Sequence, residues 1–336
     1  MSDRVAVIGA GAWGTTLAVL LANAGHPVTL WAHSAAAREE LRAHRENRRY
    51  LPAVMLPPAV DVAAETSDLA GPRRLVILAV PSAHLREVAR LAASVLAGGI
   101  PVLSAVKGIE ADSHLRMSEV IAQELPGRTI AVLSGPNLAR EIAAGKPAGS
   151  VVASADAELA AEIAGILGSE RLRVYTNPDV VGVELGGALK NVVALAAGMV
   201  DGLRLGDSAK AGIITRGLAE MTALGVAAGA NPLTFAGLAG IGDLIATCMS
   251  PLSRNHRAGE LIGSGMRPEE AEQRLEGVAE GIFTVRGALA LAASYRVELP
   301  IAEQVEAVVH ADRRPMDAVA ALMSREPKDE LANLPI

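Results

Sequence analysis

One lysine stands inside a long apolar stretch and is the first candidate for proton chemistry. Lys190 follows Gly186 and Gly187 by four and three residues, which places all three on one face of a predicted helix. Each glycine in a helix interior costs about 1 kcal/mol relative to alanine, so the pair requires an explanation. Either the glycines clear space beside Lys190 for a cofactor ring and a substrate, or they allow close helix packing while Lys190 reaches solvent.

Two further segments add charged and hydrogen-bonding groups. Asp243 lies between apolar neighbours, where it either caps a helix or pairs with Lys190 and sets the pKa of the ammonium group. Ser253 is placed to cap a helix that begins at about Arg254. Ser253, Arg254 and Asn255 also suit a phosphate group, because arginine can bind it bidentately at the start of a helix.

The beginning of the chain contains a glycine pattern typical of dinucleotide sites. The apolar run Val5–Ile8 leads into G-x-G-x-x-G at residues 9–14, and a helical pattern follows. Gly9 allows a tight turn, Gly11 lets a pyrophosphate approach the backbone, and Gly14 permits close packing of helix on strand. The helix start offers N–H groups and a partial positive charge to phosphates. This context predicts a dinucleotide site.

The second strand bears on which nicotinamide cofactor is used. Val28–Trp31 completes a βαβ unit, and in NAD-selective sites an Asp or Glu ends this strand and binds the ribose 2′-hydroxyl. Here no carboxylate follows until Glu39, whereas His33 and Arg38 stand where a 2′-phosphate would fall. Arg38 is equally well explained as a surface residue of a helix. The missing carboxylate favours NADP(H), with NAD(H) possible.

The composition bounds the class of protein. The 336 residues suit two domains, and 51% hydrophobic with 2% aromatic residues predicts a core of Ala, Val, Leu and Ile. A net charge of −6 argues against a nucleic-acid partner. The single cysteine, Cys248, excludes an internal disulfide framework and suits a reducing cytoplasm.

The sequence predicts a cytoplasmic location. Asp3 and Arg4 stand just before the first strand, so no signal peptide is expected. The most apolar stretch, residues 192–200, is interrupted by glycine and too short to span a bilayer. No metal site is predicted.

The order of predicted elements changes near the middle of the chain. Up to residue 178, strands alternate with helices, which is typical of a parallel sheet with crossover helices. The predicted strands are 5–8, 28–31, 75–80, 102–106, 130–134, 150–153 and 173–175. The predicted helices between them are 15–24, 82–96, 113–125 and 157–167.

From residue 179 onward the predicted elements are all helices. They are 179–200, 210–228, 232–239, 242–248, 254–262, 268–275, 279–295, 301–310 and 315–323. The predicted fold class is therefore α/β, with an N-terminal Rossmann-type, doubly wound, mostly parallel sheet followed by an all-α C-terminal domain. The predicted domains are a dinucleotide-binding domain at 1–178 and a substrate and catalytic domain at 179–336.

Together these motifs resemble the bacterial NAD(P)-dependent glycerol-3-phosphate dehydrogenases, nearly from end to end. The segments that carry the resemblance are 9–14, 107–108, 134–136, 186–191, 214–221, 240–244, 253–255 and 280–281. The resemblance implies reversible NAD(P)H-dependent reduction of dihydroxyacetone phosphate to sn-glycerol 3-phosphate. This reaction would supply the backbone for glycerophospholipid synthesis, and the protein would be a homodimer.

The resemblance also implies roles for individual residues. The catalytic group would be Lys190, as proton donor and acceptor, with Asp243 and Lys107. The substrate would be bound by Lys107, Gly135, Asn137, Lys190, Asp243, Ser253, Arg254 and Asn255. The cofactor would be bound by Gly9, Gly11, Ala12, Trp13, Gly14, His33, Tyr50, Lys107, Ala139, Arg254, Val278 and Glu280. Asn137 departs from the family pattern of Thr or Ser, and Ala12 replaces a residue that is commonly polar.

Two other classes stay open. A β-hydroxyacid dehydrogenase or related reductase also has a Rossmann domain followed by helices, but with a lysine and an asparagine one helical turn apart. Here Asn191 directly follows Lys190, and Ala194 occupies the i+4 position. A non-catalytic NADP-binding sensor would not need Lys190, Asp243 and Arg254 together.

Overall fold

The computed structural model describes residues 3–275, 277–327 and 329–330. The chain forms two compact units. One consists of Met1–Val106 and Met117–Val180, and the other of Lys107–Arg116 and Val181–Ile336. The segment 107–116 thus belongs to the second unit by its contacts, although the sequence pattern placed it within the first domain.

The first unit is built on an eight-stranded sheet. The strands in chain order are β1 (Val5–Ile8), β2 (Val28–Trp31), β3 (Glu46–Asn47), β4 (Leu51–Met55), β5 (Val60–Val62), β6 (Leu75–Leu78), β7 (Val102–Ser104), β8 (Ile130–Ser134), β9 (Ala148–Ala153) and β10 (Leu172–Asn177). The order across the large sheet is β10-β9-β8-β7-β6-β1-β2-β5. All its neighbours are parallel except β8 and β9, while β3 and β4 form a separate antiparallel pair.

Helices connect these strands. They are α1 (Ala12–Asn23), α2 (Ala35–His44), α3 (Leu85–Ala93), α4 (Met117–Glu124), α5 (Ala139–Ala143) and α6 (Ala157–Leu167). The central strands β1, β6 and β7 are buried along their whole length, as expected for parallel strands covered on both faces. The predicted mostly parallel α/β sheet is confirmed.

Two predicted strands end early. The strand predicted at 75–80 ends at Leu78, shortly before Pro81, which has no N–H to continue a ladder. The strand predicted at 102–106 ends at Ser104, where the chain leaves the sheet towards the second unit. The other predicted strands agree to within two residues. The sequence pattern missed β3 and β5, which have two and three residues and are too short to show a period. It also missed β4, whose five residues include Pro52 and are mostly exposed.

Two predicted helices are also shorter. The helix predicted at 82–96 consists of a 3₁₀ turn, Ser82–His84, followed by α3. The helix predicted at 113–125 begins only at Met117, because the preceding residues close a turn in which the Glu110 N–H donates to the Leu115 carbonyl.

The second unit is helical. Its helices are α7 (Val180–Gly202), α8 (Asp207–Ala227), α9 (Pro232–Phe235), α10 (Asp243–Met249), α11 (Arg254–Gly263), α12 (Pro268–Arg274), α13 (Glu280–Tyr295), α14 (Pro300–His310) and α15 (Pro315–Met323). The helix predicted at 232–239 ends at Phe235. It cannot continue because Gly240 is non-helical (φ −98°, ψ −106°) within a π-type turn at Leu238–Gly242.

The central helix α7 is buried on nearly all sides and crosses α11 at backbone contact. A Cβ on Gly198 of α7 would lie 2.0 Å from the His256 carbonyl oxygen, and a Cβ on Gly259 of α11 would lie 2.0 Å from that of Leu195. No side chain larger than hydrogen fits at this crossing. The start of α11 is therefore held in a fixed position relative to α7.

Two stretches of the described chain are long and apolar enough to cross a membrane by length and composition alone. The first is α7, the 23-residue helix that contains residues 192–200. Its most apolar window is 89% buried inside the protein, as in the core helix of a globular unit. The second, Pro232–Met249, is interrupted by the non-helical Gly240.

Candidate active site

A buried carboxylate joins two lysines in the helical unit. Asp243, the first residue of α10, is 1% exposed. One of its carboxylate oxygens accepts a hydrogen bond from Lys190 Nζ, and the other accepts one from Lys107 Nζ at 2.7 Å. Asp243 thus brings two ammonium groups together, an arrangement that suits a substrate that carries or develops negative charge.

Thr247 completes the contacts of Lys190. Lys190 Nζ donates to Thr247 Oγ1 at 2.7 Å, and that hydroxyl donates to the Asp243 carbonyl at 2.6 Å. An ammonium group has three N–H donors, so two are used within the described part of the chain and one remains for a substrate oxygen. The sequence pattern missed Thr247, although its i+4 spacing from Asp243 was a usable signal.

Gly186 brings the aspartate to the lysine. A Cβ on Gly186 would lie 2.5 Å from the Ala239 carbonyl oxygen. The missing side chain therefore allows the turn before Asp243 to pack against α7. The interpretation that Gly186 clears space for a cofactor is therefore wrong. Glycine is needed at this position because the backbone of the turn before Asp243 packs closely on α7. Lys190 does not reach solvent either, since it is 7% exposed.

Burial changes the proton affinity of Lys190. Its pKa is lowered from 10.5 to about 8, chiefly because the ammonium is removed from water. The Asp243 carboxylate opposes this effect, and the Lys107 ammonium adds to it. A lysine with a pKa near 8 is mostly protonated at neutral pH, yet exchanges its proton readily. Such a group can serve as an acid in one direction and a base in the other.

The start of α11 carries three predicted substrate residues. Ser253 caps the helix, because its Oγ accepts from the His256 N–H at 3.2 Å. Arg254 is exposed in the first turn, and a Cβ on Gly277 would lie 2.6 Å from its Nη1. Val278 and Glu280, two predicted cofactor residues, follow at the start of α13.

Asn255 is tied to its neighbours on both sides of its amide. Its Nδ2 donates to Asn191 Oδ1 at 2.9 Å, and its Oδ1 accepts from the Gly281 N–H at 2.8 Å. These bonds connect α7, α11 and α13. On each helix, the bonded residue is adjacent in sequence to a predicted site residue, which is Lys190 on α7, Arg254 on α11 and Glu280 on α13. Among the described residues, one N–H of Asn255 has no partner and can reach a ligand, while the rest of the amide has a positioning role.

The glycine pattern of the sheet unit forms a dense turn at the carboxyl end of β1. Gly9 has φ +116°, and its Cβ would lie 2.3 Å from the Ala79 carbonyl oxygen, just after β6. A Cβ on Gly14 would lie 1.9 Å from the Gly9 carbonyl oxygen. Because β1 lies between β2 and β6, this turn stands at the switch point of the sheet, where ligands of such folds bind.

The same turn has the features that a dinucleotide requires. Gly11 is the N-cap of α1 without a side-chain cap, and a Cβ there would meet no described atom within 4 Å. Ala12 begins the helix with uncapped N–H groups. Trp13 Nε1 is buried without a hydrogen-bond partner in the described residues. An open backbone approach, free donors and an unsatisfied indole N–H fit a bound dinucleotide.

Two further predicted cofactor residues are tied to this turn. Asn47 Nδ2 donates to the Ala10 carbonyl at 2.8 Å and to Thr15 Oγ1 at 2.7 Å, and its Oδ1 accepts from the Tyr50 N–H at 3.2 Å. Asn47 therefore holds the Tyr50 turn against the glycine turn, a role that the sequence pattern missed. Ala139 begins α5, and its carbonyl accepts from Thr16 Oγ1 of α1 at 3.3 Å.

At the end of β2, His33 and Arg38 lie together. The His33 ring is exposed and stands edge-on to Trp31 at 6.0 Å. Arg38 Nη1 donates to the carbonyls of Ala32 and His33, both at 2.8 Å, and its Nε donates to that of Ala64 at 2.7 Å. Arg38 is thus not a freely solvated surface residue, since its guanidinium is fixed beside the end of β2.

Gly135 and Asn137 belong to the sheet unit, unlike the other predicted substrate residues. Gly135 has φ +132° after β8. Asn137 Nδ2 donates to the Gly149 carbonyl at 3.3 Å, and its Oδ1 accepts from Ser150 Oγ at 3.1 Å. Most of this amide is used to anchor the loop on β9.

A dinucleotide turn on a parallel sheet, and a buried ammonium group with one donor unused among the described residues, are features that suit a nicotinamide-dependent dehydrogenase. Comparison with known proteins agrees with that class. The family models described as the N-terminus and C-terminus of NAD-dependent glycerol-3-phosphate dehydrogenase match residues 4–160 and 179–320. The chain belongs to this family, as the sequence motifs predicted.

Individual relatives match over nearly their full length. The chain is 47% identical over 328 residues to the glycerol-3-phosphate dehydrogenase (NAD(P)+) of Desulfitobacterium hafniense, which covers 98% of this chain and 93% of that protein. It is 48% identical to the enzyme of the same name from Streptomyces coelicolor, covering 97% and 98%. The crystal structure of glycerol-3-phosphate dehydrogenase from Coxiella burnetii has a TM-score of 0.94 at 36% identity, covering 96% and 99%.

Proposed function

We propose that this chain catalyses the reversible NAD(P)H-dependent reduction of dihydroxyacetone phosphate to sn-glycerol 3-phosphate, with Lys190 as general acid and base. The observation that carries the proposal is the buried Lys190 ammonium, held by Asp243 and Thr247 with one donor left over. Membership of the family supports the choice of substrate. The product would supply the backbone for glycerophospholipid synthesis.

A bound nicotinamide supplies the hydride that reaches the carbonyl carbon. The Lys190 ammonium donates a hydrogen bond to the carbonyl oxygen, stabilises the negative charge that develops there, and transfers its proton to it. Asp243 and Thr247 hold Lys190 so that its third N–H has one direction. Lys107 and Arg254 neutralise the phosphate group, and Gly135, Asn137, Ser253 and Asn255 complete the substrate site.

The direct test follows NADPH oxidation by absorbance with dihydroxyacetone phosphate as substrate. Glycerate and 3-hydroxyisobutyrate are assayed alongside in the oxidative direction. Turnover of dihydroxyacetone phosphate alone supports the proposal. Turnover of either hydroxyacid instead would favour a β-hydroxyacid dehydrogenase, and NADPH binding without turnover of any ketone would favour a sensor.

The direction of the reaction should determine its pH dependence. Reduction needs protonated Lys190, so we expect its kcat/KM to fall as pH rises through about 8, while oxidation rises over the same range. Asp243→Asn removes a carboxylate that raises the pKa of Lys190, so both limbs should shift to lower pH. Initial rates across the neutral and alkaline range test this, with Asp317→Asn on α15 as the exposed control. If neither limb of the pH profile shifts in Asp243→Asn, the group that titrates is not Lys190.

We also propose a preference for NADPH over NADH. The support lies at the end of β2, where no carboxylate stands and Arg38 is held beside His33. Arg38 Nη2 has no hydrogen-bond partner in the described residues, so it is available to a 2′-phosphate. Trp13, Tyr50 and Ala139 would contact other parts of the cofactor.

Replacing His33 by aspartate should move the preference towards NADH, because a carboxylate binds the ribose hydroxyls and repels the phosphate. We expect the NADPH to NADH ratio of kcat/KM to fall by about tenfold, the equivalent of roughly 1.4 kcal/mol. His44→Asp on the exposed side of α2 is the matched control. A wild type that strongly prefers NADH, or a ratio unchanged in His33→Asp, contradicts this position for the ribose site.

Three further assignments are part of the proposal. Residues 1–178 bind the cofactor and residues 179–336 the substrate, the protein acts as a homodimer, and it is located in the cytoplasm. A single cysteine in the chain supports a reducing compartment. Light scattering of the purified protein tests the dimer, and cell fractionation tests the location.

A further inference from the structure

The segment Lys107–Arg116, called here the 107–116 segment, is attached to the helical unit at three points. Lys107 Nζ contacts Asp243 at 2.7 Å. Ile109 is 3% exposed and packs so closely on α13 that a Cβ on Gly287 would lie 3.0 Å from its Cγ2. Arg116 Nη1 contacts Glu184 Oε2 of α7 at 2.6 Å. Lys107 therefore depends on contacts at both ends of the segment.

The segment is also closed on itself. Ile109 and Arg116 form an antiparallel bridge, and the Glu110 N–H donates to the Leu115 carbonyl at 3.0 Å. This closure fixes Arg116 opposite Ile109, two residues after Lys107. A displacement of Arg116 is thus transmitted to Lys107 through a short, hydrogen-bonded loop.

The ion pair at the far end is mostly removed from water. The Glu184 side chain is 3% exposed and that of Arg116 is 19% exposed. Buried ion pairs contribute little net stability compared with apolar residues of similar size, but they require a defined geometry. Glu184 lies on α7, the helix that also carries Lys190, so α7 supports both lysines of the site.

We propose that Arg116 and Glu184 are positioning residues for the reaction, which hold the 107–116 segment on α7 so that Lys107 stays at Asp243. This inference rests on the proposed function, because it concerns the placement of Lys107. Neither residue takes part in proton or hydride transfer. Their effect on turnover passes through Lys107.

The test removes the pair as a unit, with Arg116→Met and Glu184→Leu combined, since removing one member of a buried ion pair is strongly destabilising. We expect kcat/KM for dihydroxyacetone phosphate to fall about tenfold to a hundredfold, the effect of a small misplacement in an active site. The melting temperature should change little, and the dissociation constant for NADPH should rise no more than it does in Lys107→Ala. Arg116→Lys, which keeps the charge, should retain most of the activity.

A double-mutant cycle with Lys107→Ala separates positioning from general stability. If the pair acts through Lys107, its removal should have almost no further effect on kcat/KM in the Lys107→Ala background. Arg86→Met with Glu124→Leu removes an ion pair between α3 and α4, in which Glu124 also contacts Arg90, and should leave kcat/KM unchanged in both backgrounds. Equal losses with and without Lys107, or no loss at all, overturn the proposal.

Hydrogen exchange supplies a readout that does not need turnover. Removal of the pair should speed amide exchange in the 107–116 segment and not in α4. Unchanged exchange there overturns the positioning role, even if dihydroxyacetone phosphate proves not to be the substrate. A wild type inactive with dihydroxyacetone phosphate, by contrast, overturns the proposed function alone.

Discussion

Replacing Lys190 by alanine is expected to lower kcat for dihydroxyacetone phosphate by about 10²–10⁴-fold, the usual contribution of a general acid. The variant loses both the proton donor and the positive charge next to the developing alkoxide. NADPH binding should be nearly intact, because Lys190 belongs to the helical unit and the glycine turn to the sheet unit. Stopped-flow turnover and a fluorescence titration of NADPH measure the two quantities.

Two controls make the Lys190 result specific. Lys146→Ala removes an exposed lysine that pairs with Glu141, and it should leave kcat unchanged. Lys190→Met keeps much of the side-chain volume, so a melting temperature close to that of the wild type shows that the loss is chemical. If Lys190→Ala keeps more than about a tenth of the wild-type kcat, the acid–base role belongs to another group.

Arg254→Ala should raise KM for dihydroxyacetone phosphate and lower kcat/KM. Loss of a charged partner from a phosphate that becomes desolvated on binding is worth about 2–5 kcal/mol, which corresponds to roughly thirtyfold to several thousandfold in kcat/KM. The Arg254 guanidinium is exposed at the first turn of α11, so its interaction with a phosphate forms on binding. NADPH affinity should weaken as well, because the family resemblance places Arg254 near the cofactor.

Comparison with dihydroxyacetone, which lacks the phosphate, shows whether the loss comes from that group. Arg254→Ala should affect the phosphate-free substrate far less. Arg257→Ala, on the exposed side of the same helix, is the matched control. If the kinetics with dihydroxyacetone phosphate and with NADPH are both unchanged, Arg254 has no role beyond its position at the start of the helix.

The sequence by itself determined the elements whose signals are local. The apolar run Val5–Ile8 and the helix Ala157–Leu167 have the bounds that the pattern predicted. In the helix, the Asp156 side chain accepts from two backbone N–H groups, which is a contact between near neighbours. The turn at residues 9–14 is also local. It requires glycine at position 9, where φ is +116°, and at position 14, where a Cβ would lie 1.9 Å from the Gly9 carbonyl oxygen.

Local patterns did not reveal the short strands β3 to β5 or the interruption at Gly240. The strands β3 and β5, of two and three residues, have no period to detect, and the five residues of β4 are mostly exposed and include Pro52. At the interruption the backbone packs so closely that a Cβ on Gly240 would lie 2.1 Å from the Phe235 carbonyl oxygen, and this close approach depends on how the turn folds back. The path of the backbone in this turn cannot be predicted from the residue types alone.

The assembly of the site was decided by the tertiary structure. Lys190 and Asp243 are 53 residues apart in the chain, and Lys107 and Asp243 are 136 apart. Which carboxylate meets which ammonium depends on how the turn before α10 packs against α7, at the close approach that Gly186 permits. The attachment of the 107–116 segment to Glu184 is of the same kind. A sequence determines which faces of its helices are apolar, but the partner opposite each face is selected only when the whole core packs at once.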